Sequence, residues 1–148
     1  KTFQQTRYFF FAERNFHLKG NHYFNVKAES AMLDSDGEIT TNELFRIGGY
    51  NSLRGFNEQS LFTDFYAFGG VEYRYLVSNQ AFFDVFGQLA NVRNSSLKTT
   101  SKLYSFGLGF NFLLPIGLMT FQISNGQEFN NPFKFQDTKI HWGIISKF

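Results

Sequence analysis

The sequence predicts an all-β chain, a transmembrane antiparallel β-barrel meander, on three observations. Side chains alternate between apolar and polar at period two through most of the 148 residues. Aromatic residues reach 20%, with 22 Phe and 7 Tyr, yet mean hydropathy stays at -0.26, so apolar groups are diluted by polar ones rather than gathered into runs. Connections read as short and long in turn, the rhythm of a membrane barrel with tight turns at one end and long loops at the other. A soluble sandwich or lipocalin-like barrel would also alternate, but it would then coat its outside with charged and glycine residues beside large Phe.

The alternation places seven strands, at about 3–17, 22–33, 62–77, 80–93, 101–114, 116–125 and 138–148. The chain begins inside the first of these. In the second, Phe24, Val26 and Ala28 oppose Asn25, Lys27 and Glu29. The third sets Val71, Tyr73 and Tyr75 against Glu72 and Arg74, and the fourth keeps Asp84 in phase with Gln88. The fifth carries Tyr104, Phe106, Leu108, Phe110 and Phe112 on one face, and mostly Ser and Gly on the other. That second face is too small to be a solvating surface, so the aromatic face is expected to meet lipid and the small face a wet lumen. The sixth follows the Leu114-Pro115 turn; the seventh opposes Ile140, Trp142 and Ile144 to Lys139, His141 and Gly143. Lys19-Gly20-Asn21, Ser78-Asn79 and Leu114-Pro115 read as tight turns, and 34–61, 94–100 and 126–137 as long loops.

Bacterial barrels close on an even number of strands, and an open sheet edge cannot sit in lipid. Seven strands are therefore expected to be the C-terminal part of a larger barrel, spanning 1–148, whose missing part lies N-terminal. No window approaches the roughly 18 apolar residues of a membrane helix, and any secretion signal is expected outside the chain. The 14 basic and 12 acidic residues are dispersed, with no basic cluster to track a phosphate backbone, so nucleic acid is not an expected partner. The absence of cysteine excludes disulfides, thiolate metal sites and thiol nucleophiles.

The segment 34–61 is read as an extracellular loop, and loops of such length without secondary structure of their own are functional or disordered. Phe45, Tyr50, Leu53 and Phe56 give it apolar surface to bury, while Gly48, Gly49 and Gly55 allow sharp turns and close approach to a wall. A loop folding back into the barrel lumen needs this mixture, and a buried Arg54 needs a carboxylate there.

These residues carry a resemblance. Gly48-Gly49-x-x-Ser52-Leu53-Arg54-Gly55-Phe56 resembles the lumen-inserted loop motif of the BamA/TamA/two-partner-secretion transporter superfamily. Val71-Glu72-Tyr73-Arg74 is similar to that family's next strand, and Phe82-Phe83-Asp84-Val85-Phe86-Gly87 to the following aromatic-Asp-Gly strand. Gly107-x-Gly109, Pro115-x-Gly117 and a terminal Phe follow in the family's order, so the resemblance covers essentially the whole chain as the last seven strands of a sixteen-stranded barrel. It implies that Arg54 reaches Glu72 and Asp84 on the inner wall. The family's Asp-x-Gly is stretched here to Asp84 and Gly87, three apart, so a β-bulge is expected if both keep their roles. The last strand, with His141, Gly143 and Phe148, is similar to the terminal signal read by barrel-assembly machinery, with Ser146 departing from it.

No catalytic set is found. His17, His22 and His141 lie on separate strands without metal-ligand spacing, Ser52 has no G-x-S-x-G context, and Gly107-x-Gly109 precedes no helix. The resemblance implies a non-enzymatic barrel of the bacterial outer membrane, without cofactor or metal, that inserts or translocates polypeptides through a lateral seam at the last strand, the folded-in loop bracing the wall opposite that seam. Its partners are membrane lipids, a polypeptide substrate, the rest of the barrel and upstream periplasmic repeats. A passive porin-like channel is the alternative, and upstream repeats would distinguish the two.

Overall fold

The computed structural model describes residues 4–146. Seven long antiparallel strands form one sheet in simple sequence order. They are β1 (Gln5–Lys19), β2 (His22–Ser35), β5 (Phe65–Ser78), β6 (Ala81–Asn94), β7 (Thr99–Leu114), β8 (Gly117–Glu128) and β9 (Lys139–Ile145). A separate two-stranded hairpin, β3 (Phe45–Ile47) with β4 (Leu61–Thr63), lies between β2 and β5. Among the described residues the large sheet is open rather than a closed barrel, since β1 and β9 each pair on one side only.

Alternation sorts the side chains onto two faces as the pleat requires. The outer face carries Val71, Tyr73 and Tyr75 on β5, Val85 and Leu89 on β6, Phe106 and Leu108 on β7, and Ile140, Trp142 and Ile144 on β9, all exposed. The inner face divides along its length. At the loop end it is apolar, with Ala31, Tyr66, Phe68, Ala90 and Leu103 gathered around Leu53 and Ile47 of the 34–61 segment. Towards the tight turns it is polar and buried, with Glu72, Asp84, Gln88, Asn111, Thr120 and Gln122. The split follows what each half faces: a folded loop covers the first, and the second lines open space.

Three features differ from the sequence reading. The 34–61 segment has secondary structure of its own, because Phe45, Arg46 and Ile47 pair with Thr63, Phe62 and Leu61. The 94–100 connection is a tight turn rather than a long loop. Asn94 pairs with Thr99, Asn94 Oδ1 accepts the Leu97 N–H at 3.1 Å, and Lys98 takes a left-handed φ of 52°. Local side-chain bonds of this kind close a turn in few residues. β8 runs on to Glu128, so the following segment begins only at Phe129.

Candidate functional site

Between β3 and β4 the chain folds onto the inner face of the sheet. Gly48, Gly49 and Gly55 adopt φ of 113°, 96° and 89°, a region that costs side-chain-bearing residues energy. The Gly48 N–H donates to Ser52 Oγ at 2.8 Å and the Gly49 N–H to the Leu53 carbonyl at 3.1 Å, so the loop is stiffened from within. Leu53 is 0% exposed in the apolar cluster, a burial that contributes about 2 kcal/mol. Leu53 thus fixes the depth at which the next residue meets the wall.

Arg54 is held on three sides. Its Nη1 donates to Glu72 Oε2 at 2.7 Å, with side chains 14% and 8% exposed respectively. Its guanidinium carbon lies 3.5 Å from the centroid of the Phe86 ring, a cation–π contact in a desolvated setting. Its backbone N–H donates to Gln88 Oε1 at 2.9 Å, while Gln88 Nε2 donates to the Ser52 carbonyl at 3.3 Å. Glu72 also accepts from Arg74 Nε through its other oxygen. Two guanidinia therefore share one carboxylate, and the excess positive charge is met by the face of Phe86.

Gly55 and Phe56 carry the contact further across the sheet. A methyl group on Gly55 would sit 2.8 Å from the Asn125 carbonyl carbon and the Gly126 nitrogen, and one on Gly126 would meet the Phe56 ring. The tip thus crosses from Glu72 on β5, over Phe86 and Gln88 on β6, to the backbone of β8. Below it, a cavity of about 530 Å³ is lined by charges of both signs, among them Lys27, Arg54, Arg74, Glu13 and Asp84.

Of the two carboxylates expected at Arg54, the structure brings Glu72 to it and not Asp84. Asp84 Oδ2 accepts from Asn111 Nδ2, whose Oδ1 accepts from Thr120 Oγ1 at 2.7 Å, while Asp84 Oδ1 has no partner among the described residues. No bulge is needed either. β6 pairs without a register shift from Phe82 to Arg93, so Asp84, Phe86 and Gln88 share the inner face and Gly87 lies on the outer one. Sequence reasoning passed over Phe86 and Gln88 as contacts of Arg54. Their signal was the even phase they share with Asp84, an aromatic among lumen polar residues. His141 and Gly143 face inward opposite Gln122 and Thr120, with His141 Nε2 buried and without a partner among the described residues. Phe148 lies outside the described residues.

A meander with an apolar outer face, a polar inner face and a loop pinned inside by a buried ion pair is the wall of an outer-membrane type of β-barrel. A family model described as the Omp85 superfamily domain matches residues 2–148, and the chain belongs to that superfamily. No curated protein matches it. Members of the superfamily are outer-membrane proteins concerned with inserting or secreting polypeptides, and at that general level the chain is one of them.

Proposed function

We propose that this chain is the C-terminal seven strands of a sixteen-stranded outer-membrane barrel that inserts or exports polypeptides through a lateral seam at β9, without enzymatic chemistry. The observation that carries the reading is the brevity of β9. Among the described residues it pairs with β8 only from Leu118–Ile145 to Ser124–Lys139, leaving Asn125–Glu128 of β8 without a strand partner on that side. A short strand holds its neighbours through few backbone bonds, and a free edge offers an incoming strand sequence-tolerant hydrogen bonds. The inner wall suits a passing or pausing chain, since a cavity of about 530 Å³ beside the loop is lined by Glu13, Lys27, Arg74, Gln88 and Asn111. Polypeptide substrate, surrounding lipid and periplasmic repeats upstream are the partners this function requires.

The pinned loop has a place in this reading that differs from the sequence expectation. It was expected to brace the wall opposite the seam. Gly55 instead packs on Asn125 and Gly126 of β8, the strand next to β9, so the loop props the seam's own flank. Arg54→Ala is expected to leave the barrel inserted, because Leu53 still fills the apolar cluster and Arg74 still neutralises Glu72, while impairing assembly or export in a complementation assay. Full activity of an inserted Arg54→Ala barrel would overturn the loop's role.

A further inference from the structure

On the outer face of β8, Phe121 and Ile123 are followed in phase by Asn125 and Gln127. Two amides in that position would face lipid, yet they are only 3% and 5% exposed. The segment 129–138 covers them. Asn125 Nδ2 donates to the Lys134 carbonyl at 3.0 Å and lies 3.1 Å from Thr138 Oγ1. Gln127 Nε2 donates to Asp137 Oδ2 at 3.0 Å. A single 3₁₀ turn, Phe135–Asp137, fixes the carbonyl that both amides approach. The segment is therefore strapped to the outside of the sheet, beside the end of β9.

The strap extends the lipid-facing aromatic surface. The Phe133 ring stacks on Phe106 with centroids 5.9 Å apart, and Phe129 meets Tyr104 edge-on at 5.3 Å. Both partners belong to the outer face of β7. Phe129 and Phe133 remain about half exposed, and Phe135 is 80% exposed. Lys134 stands between the two latter rings. Aromatic rings with cations beside them suit the boundary between acyl chains and anionic headgroups.

We propose that segment 129–138 is a lipid-anchoring strap, its Phe129, Phe133 and Phe135 seated in the interfacial layer of the leaflet at the loop end, with Lys134 towards lipid phosphates. Loop ends of such barrels face the cell exterior, so the outer leaflet is the occupant. Continuity with the apolar outer face and the charge of Lys134 between two exposed rings favour lipid over a protein partner. The inference rests on the barrel's orientation in the membrane and not on the export reading.

Trp142 is the sole tryptophan, which makes the test direct. In the full-length protein carrying Trp142→Phe, Phe135→Trp is reconstituted into vesicles of zwitterionic phospholipid with an anionic fraction, and folding is confirmed by heat-modifiable gel mobility. The expected result is blue-shifted emission, quenched by lipid brominated near the carbonyl region and protected from aqueous iodide. Adding Asn125→Ala and Gln127→Ala to the folded barrel should release the strap, with a red shift and loss of lipid quenching. Emission that stays water-like and is quenched by iodide alone would overturn the proposal. So would lipid quenching that the two alanines leave unchanged.

Discussion

Arg54 owes its position to groups on three different elements, and each acts differently. Glu72 supplies charge, Phe86 a ring face, and Gln88 holds the backbone on either side. Breaking a buried pair is costly chiefly because a charge is left behind, and here Arg74 already shares Glu72. The ring then becomes the group specific to Arg54. Phe86→Leu is expected to destabilise loop docking by about 1–2 kcal/mol. In a double-mutant cycle with Arg54→Ala, measured as protease resistance of the 34–61 segment, the effect of Phe86→Leu should largely vanish. Additive effects would show that Phe86 merely fills space. Glu72 was legible in the sequence because period two puts it on the inner face. The Phe86 contact was not, since an aromatic residue in a membrane strand is assigned to lipid by default and only its phase argues otherwise.

At the scale of elements, Asp64 ties the loop to the wall. Lying between β4 and β5 at the loop end, it accepts from Arg93 Nε and Nη2 at 3.0 and 2.9 Å and from Ser95 Oγ at 3.0 Å. Its own carbonyl accepts the Leu33 N–H at 2.8 Å. It thereby joins the end of β2, the start of β5 and the turn after β6. Burial pushes its carboxyl up, but the Ser95 N–H, the Arg93 guanidinium and the Ser95 hydroxyl outweigh that and hold it below the ordinary carboxylate value. A depressed carboxylate contributes stability that is present above its unfolded pKa and lost as pH falls through the folded one. Acid below the ordinary carboxylate range is therefore expected to loosen the loop end, seen as faster proteolysis within 34–61 and 95–98. Asp64→Asn should make the loop end loose at neutral pH and remove most of that acid dependence. An unchanged acid response in Asp64→Asn would place the sensitivity elsewhere. This clamp escaped the sequence reading because Asp64 falls within the strand expected at 62–77, which the structure breaks there into β4 and β5. The turn at 95–98 was mistaken for a long loop for a related reason: Asn, Ser and Lys mark loops by composition, while their hydrogen bonds decide the length.

Over the whole molecule, the fold was the most legible part. Period two gave seven strands, their order and both faces, because a one-residue slip would send every aromatic side chain to the wrong side. Less legible was the way the inner face changes from apolar to polar along its length, since that depends on where the 34–61 segment lies rather than on local pattern. The strap was hidden for the same reason. Asn125 reads as the end of a strand and Gln127 as part of the loop at 126–137, and only the returning chain explains polar groups on a lipid face.

The central claim is that β9 is the edge at which a client polypeptide meets the barrel. It is tested by placing a photo-cross-linking amino acid at Ile140 or Ile144 on β9, and at Val85 or Leu108 in the middle of the sheet, in cells producing the full-length protein. All four positions lie on the outer face, so they differ in distance from the seam and not in exposure to lipid. Polypeptide adducts at the two β9 positions and none at the two mid-sheet positions are the predicted result. Equal adducts at all four, or none on β9 while the barrel remains active, would contradict the lateral seam.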